Sequence, residues 1–391
     1  MKFPKRLGQG LVAAALLFGV ASPAFAAGTL THLKNYNLGN AGTAYEIEST
    51  FGEAGTNVTA SRTPDGNLRV QTFYTDASQN FVAQDVEEYG AIGDVDIANI
   101  DHGWVVVAVK LSNNTLKLIP FDPNGGSNGR SLVRLNNGVD YTTKNIPVYD
   151  EIEIARTGND GVFVTTLMTP NSTMRIDSWR LEEDGTITWL KSYETTVHFD
   201  RIALAGDYIA TGRNFVTVLR EVEEDRAWLI LWKTDAAGNI TKVDTKVRGA
   251  PVDTASVTLS GSRMYVSIIN ASTHGAEIQD WDIAQTSPGV TEMLHRAEAT
   301  LAEDVTAVEI VDMGAGGVIL ARDQDDGRLN LTPFTMNNSG NFVLQGTLKY
   351  GTDVFNSLAM TKDEGERFFL STILDVNGNY TVDHDIWRFT Y

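Results

Sequence analysis

Cysteine is absent from all 391 residues of the chain. That excludes disulfides, thiolate metal sites and a lipid-anchored N-terminal Cys, so stability has to come from packing. No sustained i, i+3, i+4, i+7 apolar pattern is present, which leaves long helices without support. Past the first 26 residues no stretch reaches the ~18 apolar residues of a membrane helix. No Pro-rich spacer, composition shift or charge block marks a domain boundary. The motifs H-E-x-x-H and G-x-S-x-G are missing, and no His pair has metal-helix spacing among His32, His102, His198, His274, His295 and His384. Positive charge is scarce too, with 31 Lys and Arg against 50 Asp and Glu, a net −19.

What is present begins with an export signal. Lys2, Lys5 and Arg6 precede the apolar run Leu11 to Val20, and Ala24-Phe25-Ala26 supplies an A-x-A cleavage site. Residues 1–26 are therefore expected to be a signal peptide and 27–391 a single mature domain, periplasmic or secreted. The segment after the signal holds 28 basic and all 50 acidic residues, a net −22. Repulsion from phosphates disfavours nucleic acid as a partner. Such a surface serves solubility and equally attracts cations or cationic partners.

The chain also repeats itself. Gly28-Thr29-Leu30-Thr31-His32-Leu33-Lys34-Asn35-Tyr36 matches Gly185-Thr186-Ile187-Thr188-Trp189-Leu190-Lys191-Ser192-Tyr193 almost type for type. The middle copy follows an aromatic strand, Ile176 to Leu181, across the turn Glu182-Glu183-Asp184-Gly185. The N-terminal copy has no strand before it; its match, Asp385 to Tyr391, ends the chain. The first strand is thus expected to lie beside the last.

Aromatic strands recur throughout, marked by Phe73, Phe121, Trp179, Trp232, Trp281, Phe334 and Trp387, at gaps of 48, 58, 53, 49, 53 and 53 residues. A period near 50 built of short alternating strands and Gly, Asn or Asp turns reads as all-β: a seven-bladed β-propeller, four antiparallel strands per blade, the last blade completed by the N-terminal strand. In the sixth unit the strands are expected at 307–311, 317–321, 329–335 and 342–348. A membrane barrel's final strand would resemble 386–391, but the other segments are shorter than the ~10 residues a spanning strand needs.

Trp104 to Phe121, with Ser178-Trp179-Arg180-Leu181 and Gly185-Thr186-Ile187-Thr188, resembles the repeat of secreted bacterial seven-bladed β-propeller proteins of unassigned function. No Trp-Asp dipeptide recurs with an upstream Gly-His, so the WD40 family is not implied. The resemblance implies a fold and carries over no catalytic residue.

An acidic residue recurs just before each innermost strand: Asp94, Asp150, Asp200, Asp253, Asp304 and Asp353, with Glu46 the counterpart in the first unit. A ring of carboxylates at one face could hold Ca²⁺, a hard cation that takes several oxygen ligands. An Asp capping its own turn accounts for the same recurrence. The turns 323–327 and 375–379 resemble calcium loops in composition but lack the full spacing. His198 and His274 fall in loops expected on the same face. With Tyr149, Asp200 and Arg201 they could form a polar site for a sugar or uronic acid, His or Tyr acting as base and Arg neutralising a carboxylate. The expected role is binding of a protein or a carbohydrate, or scaffolding, through that face; the rival is a polysaccharide lyase or hydrolase at the same place, and a purely structural surface protein is the third reading.

Overall fold

The computed structural model describes residues 29–37, 44–52, 55–75, 81–126, 129, 131–138, 141–148, 150–158, 160–206, 213–301, 304–314, 317–324, 329–350, 354–362, 367–376 and 379–390. The signal-peptide expectation, Tyr149 and Asp353 lie outside the described residues. The fold is all-β, in antiparallel sheets, with one 3₁₀ turn, Asn136–Gly138, among the described residues.

The strands hydrogen-bond in successive sets of four. The first set is Glu46–Phe51, Thr56–Arg62, Asn67–Thr75 and the leading part of Phe81–Asp101. Three long strands, Phe81–Asp101, Ile187–Gly206 and Ile240–Ser260, form the outer edge of one set and then the first strand of the next. Ile152–Arg156, Val305–Gly314 and Val354–Lys362 open the remaining sets. The last set runs Val354–Lys362, Arg367–Val376, Asn379–Thr390 and then Thr29–Asn37, so the chain's two ends share a sheet as their sequences led us to expect.

Burial explains the composition of each strand. Second strands have neighbours on both faces and so read as apolar runs: Val105 to Val109 are all at 0 % exposure. Every aromatic that marked the repeat lies on a third strand and is buried, from Phe73 to Trp387. Apolar clusters fill the space between consecutive sets, including one that joins the last set to the first through Ala44, Ile47, Ile373 and Val382, and another through Phe73 and Ile386. First strands lie side by side: Glu46–Phe51 contacts Phe81–Asp101 and Val354–Lys362, and Val305–Gly314 contacts Ile240–Ser260 and Val354–Lys362.

The outer strands depart from the expected regularity, for a local reason. Opposite Phe73, Trp179, Trp232, Trp281 and Trp387 the outer strand carries one extra residue, a β-bulge at Gln84, Leu190, Val243, Arg296 and Leu33. Where a proline precedes the aromatic, the outer strand breaks instead. Pro120 and Pro333 accept from Leu135 N and Gln345 N on that side but have no N–H to return. The edge there splits into Ser131–Arg134 with Tyr141–Pro147, and into Phe342–Leu344 with Leu348–Tyr350, where one strand over 342–348 was expected.

Candidate functional site, an acidic vestibule

Strand alternation places residues two apart on one face. In Glu46-Ile47-Glu48, Asp94-Val95-Asp96 and Glu151-Ile152-Glu153 the aliphatic residue is buried between sets, and both acids border a cavity of about 580 Å³. Arg201, Asp253, Ser256 and Glu309 also line it. Ile97, Ile154, Leu204 and Val257 border both this vestibule and a second cavity of about 680 Å³ on its far side, so an apolar waist separates the two. Thr50, Asn99, Arg156, Thr258 and Thr361 line that second cavity.

Several of these carboxylates also stitch neighbouring first strands together. Asp94 Oδ2 accepts from Ile152 N at 2.7 Å, Asp96 Oδ2 from Ile154 N at 2.6 Å, and Glu151 Oε2 from Ile202 N at 2.7 Å. Elsewhere Ser256 Oγ donates to Glu309 at 2.9 Å, Thr50 Oγ1 accepts from Asn99 N at 3.1 Å, and Ser357 Oγ accepts from Ile47 N at 3.4 Å. Arg201 donates to Glu151 at 2.8 Å, and Arg62 lies 3.5 Å from Glu46.

Crowding so many acids makes ionisation costly. Burial, then a hydrogen bond with Asp94 and its charge, raises Glu46 against the opposing pull of Arg62. Glu48 and Glu153 are pushed well above the ordinary value by burial first and by the charge of Asp96 next. Asp96 is raised by burial although the N–H groups of Ile154 and Ile97 oppose it, and Glu151 is raised by burial in spite of Arg201. For Glu309 burial dominates and pushes the carboxyl up to about 7. Ionising these acids together is therefore costly, and a cation entering the vestibule would lower that cost.

The expected site residues are placed as follows. Asp94 and Asp253 border the vestibule, whereas Asp150 and Asp304 are exposed. Arg220 clamps Asp200 at 2.7 Å and Asp253 at 3.1 Å. Among the described residues no three acidic or histidine side chains come close enough to hold a metal ion, and Asp94, Asp200 and Asp253 already have N–H partners. Arg201 reaches the vestibule and pairs with Glu151. His198 and His274 are exposed, His274 in a left-handed turn at φ 51°. No side-chain hydrogen bond or ion pair joins either histidine to Asp200 or Arg201 among the described residues. The acids that dominate the cavity, Glu48, Asp96, Glu151, Glu153 and Glu309, were not singled out from the sequence. For all but Glu309 the signal was the acid-aliphatic-acid triplet shared by the first three units; Glu309 stands alone between Val308 and Ile310.

No protein-family model matches the chain, and no curated protein matches it.

Proposed function

We propose that this is an exported seven-bladed β-propeller that binds a basic segment of a partner protein, whose cationic side chains enter the acidic vestibule. The ring is supported by the four-strand sets, by the pairing of Thr29–Asn37 with Asn379–Thr390, and by the apolar clusters that link the last set to the first. Its first strands would then surround a central channel, with the vestibule at the mouth where those strands begin.

The observation that carries the binding reading is the charge of the cavity wall. Among the described residues lining it, Glu46, Glu48, Asp94, Asp96, Glu151, Glu153, Asp253 and Glu309 stand against one guanidinium, that of Arg201. A cavity of about 580 Å³ admits one or two extended Lys or Arg side chains, and its low-dielectric walls focus the field on them. An acidic polysaccharide would meet repulsion there, so the charge favours binding of a cationic protein over cleavage of a uronic acid polymer.

Calorimetric titration with an oligolysine peptide tests this. Binding is expected to tighten as pH rises from 5 to 8, and to weaken at least about tenfold in Glu48→Gln/Glu153→Gln. The double variant should fold at least as stably as the parent, since it removes two carboxyls that are costly to ionise. Absence of binding at low ionic strength, or equal affinity in the double variant, would sink the proposal.

A further inference from the structure

Phe81–Asp101 runs from Asp94 at the vestibule to Asp101 at its opposite end, where the chain turns through His102 and Gly103 into Trp104–Leu111. Asp101 pairs directly with Trp104, and both turn residues have positive φ, 54° and 72°. This two-residue hairpin geometry favours Asn-Gly, because a larger side chain in the left-handed region is strained. A histidine occupies the strained position. Asp101 holds it there: Oδ1 accepts from His102 N at 2.8 Å, and Oδ2 lies 3.4 Å from Nδ1.

The His102 side chain is 61 % exposed, and its ring tilts against the half-buried indole of Trp104, centroids 5.6 Å apart. The two rings border a groove of about 650 Å³ whose other wall is Asp160, Arg180 and the turn Glu182, Glu183 and Asp184. Arg180 donates out of this wall to Ala236 O, and Arg213 pairs with Asp160 at 2.6 Å. Asp184 turns one oxygen to Thr186 N at 2.8 Å. Glu182 and Glu183 make no ion pair among the described residues. The groove thus offers an aromatic ledge, carboxylate acceptors and a negative balance of charge.

We propose that this groove is a subsite for an oligosaccharide bearing free amino groups, a glucosamine oligomer, with Trp104 and His102 as the ledge on which one ring rests. The apolar face of a pyranose lies against the aromatic rings, and an ammonium group beside the indole is attracted to its face. Carboxylates accept from hydroxyl and ammonium donors, while uronates and phosphorylated sugars are repelled. The site lies at the opposite end of the strand from the vestibule, so it stands or falls separately from the peptide-binding reading.

The test is calorimetry with glucosamine, N-acetylglucosamine and galacturonate hexamers on the full chain and on His102→Gly, Trp104→Phe and Glu48→Gln/Glu153→Gln. Glucosamine hexamer is expected to bind at least tenfold more tightly than the other two. His102→Gly should raise the thermal midpoint, because glycine takes positive φ freely, yet weaken binding five- to tenfold; Trp104→Phe should weaken it further. The vestibule double variant should still bind the hexamer at the groove, losing only whatever share of the polycation enters the vestibule. The proposal is overturned if the glucosamine hexamer does not bind at millimolar concentration, if all three bind alike, if His102→Gly binds as tightly as the parent, or if the double variant abolishes binding.

Discussion

A methyl group at Gly161 would stand 2.2 Å from the carbonyl oxygen of Leu181, in a backbone conformation, φ 73°, that L side chains resist. The neighbour is backbone and is itself tied down, for Leu181 N donates to Gly161 O at 2.9 Å. Gly161→Ala is therefore expected to cost about 2 to 4 kcal/mol in urea unfolding, through strain and a displaced strand end. Gly66 has a similar φ of 76° and nothing within 4 Å of the added atom, so Gly66→Ala should cost only about 1 kcal/mol. Equal losses at the two sites would show that φ alone, and not the close approach, sets the penalty. Residue-scale facts of this kind were only partly legible in the sequence. Asp94, Asp253 and Arg201 could be picked out as candidates because they fall where a first strand was expected to begin, although each lies within a longer continuous strand. Glu48 and Glu153 could have been found from the acid-aliphatic-acid triplets. The clamp of Arg220 on Asp200 and Asp253 could not, because it joins residues from three strands.

At the scale of elements, the internal repeat has a structural meaning that its letters alone did not disclose. The matched pairs His32 with Trp189, Leu33 with Leu190, and Lys34 with Lys191 straddle a β-bulge in each outer strand, opposite Trp387 and Trp179. The extra residue lets an apolar side chain settle on the neighbouring packing, as Leu33 does against Phe73 and Ile386. Proline before the aromatic was readable and could have warned of the broken edges at Pro120 and Pro333, since the missing N–H faces the outer strand, yet one unbroken strand over 342–348 was expected. Docking of the N-terminal strand adds a polar clasp to this. His32 Nε2 lies 2.7 Å from the fully buried Asp385, and Asn35 donates to Asp383 at 2.7 Å and Asp385 at 3.1 Å. The hydrogen bond and charge of Asp385 raise the His32 pKa above 6.5. A raised histidine contributes fully below pH 6.5 and loses that contribution as pH rises through its folded value. Amide exchange along residues 379–390 is therefore expected to quicken on going from pH 6 to 8, after correction for intrinsic rates, and His32→Ala should abolish the excess. If that variant leaves the pH dependence intact, the clasp has been misassigned.

For the whole molecule, the same sign reasoning applies to the acids of the vestibule and to one buried base. A carboxyl whose folded pKa is raised keeps its proton where the unfolded chain has lost it, so stability falls as pH climbs from the ordinary 4.5 towards the folded value. Glu309 and Asp96, both at about 7, place that window between about pH 4.5 and 7; Glu46, at about 10, extends it upward, and the raised Glu48, Glu151 and Glu153 act in the same direction. His384 pulls the other way. It is buried at 1 % exposure beside Ser371 Oγ at 3.0 Å, and burial lowers it to about 3, so it costs stability as pH falls below 6.5. Asp184, Asp235 and Asp244, lowered chiefly by hydrogen bonds, lose their contribution only nearer pH 4 and below. Between about pH 4.5 and 6.5 the six raised acids outweigh the one histidine, so stability is expected to peak near pH 4 to 5 and to decline towards pH 8, where self-repulsion of a strongly acidic chain adds to the loss. Replacing Glu309 with Gln should flatten that decline by about 1 to 3 kcal/mol, the smaller figure applying if water screens the cavity wall. Added oligolysine should restore stability most at pH 8, because a cation bound in the vestibule does there what protons do at pH 5. Thermal unfolding midpoints across this range, with and without the peptide, decide the matter: a curve rising from pH 5 to 8, or one that Glu309→Gln leaves unchanged, would mean that the vestibule acids are ionised and stably solvated, and that the cavity stores no protons for a ligand to displace.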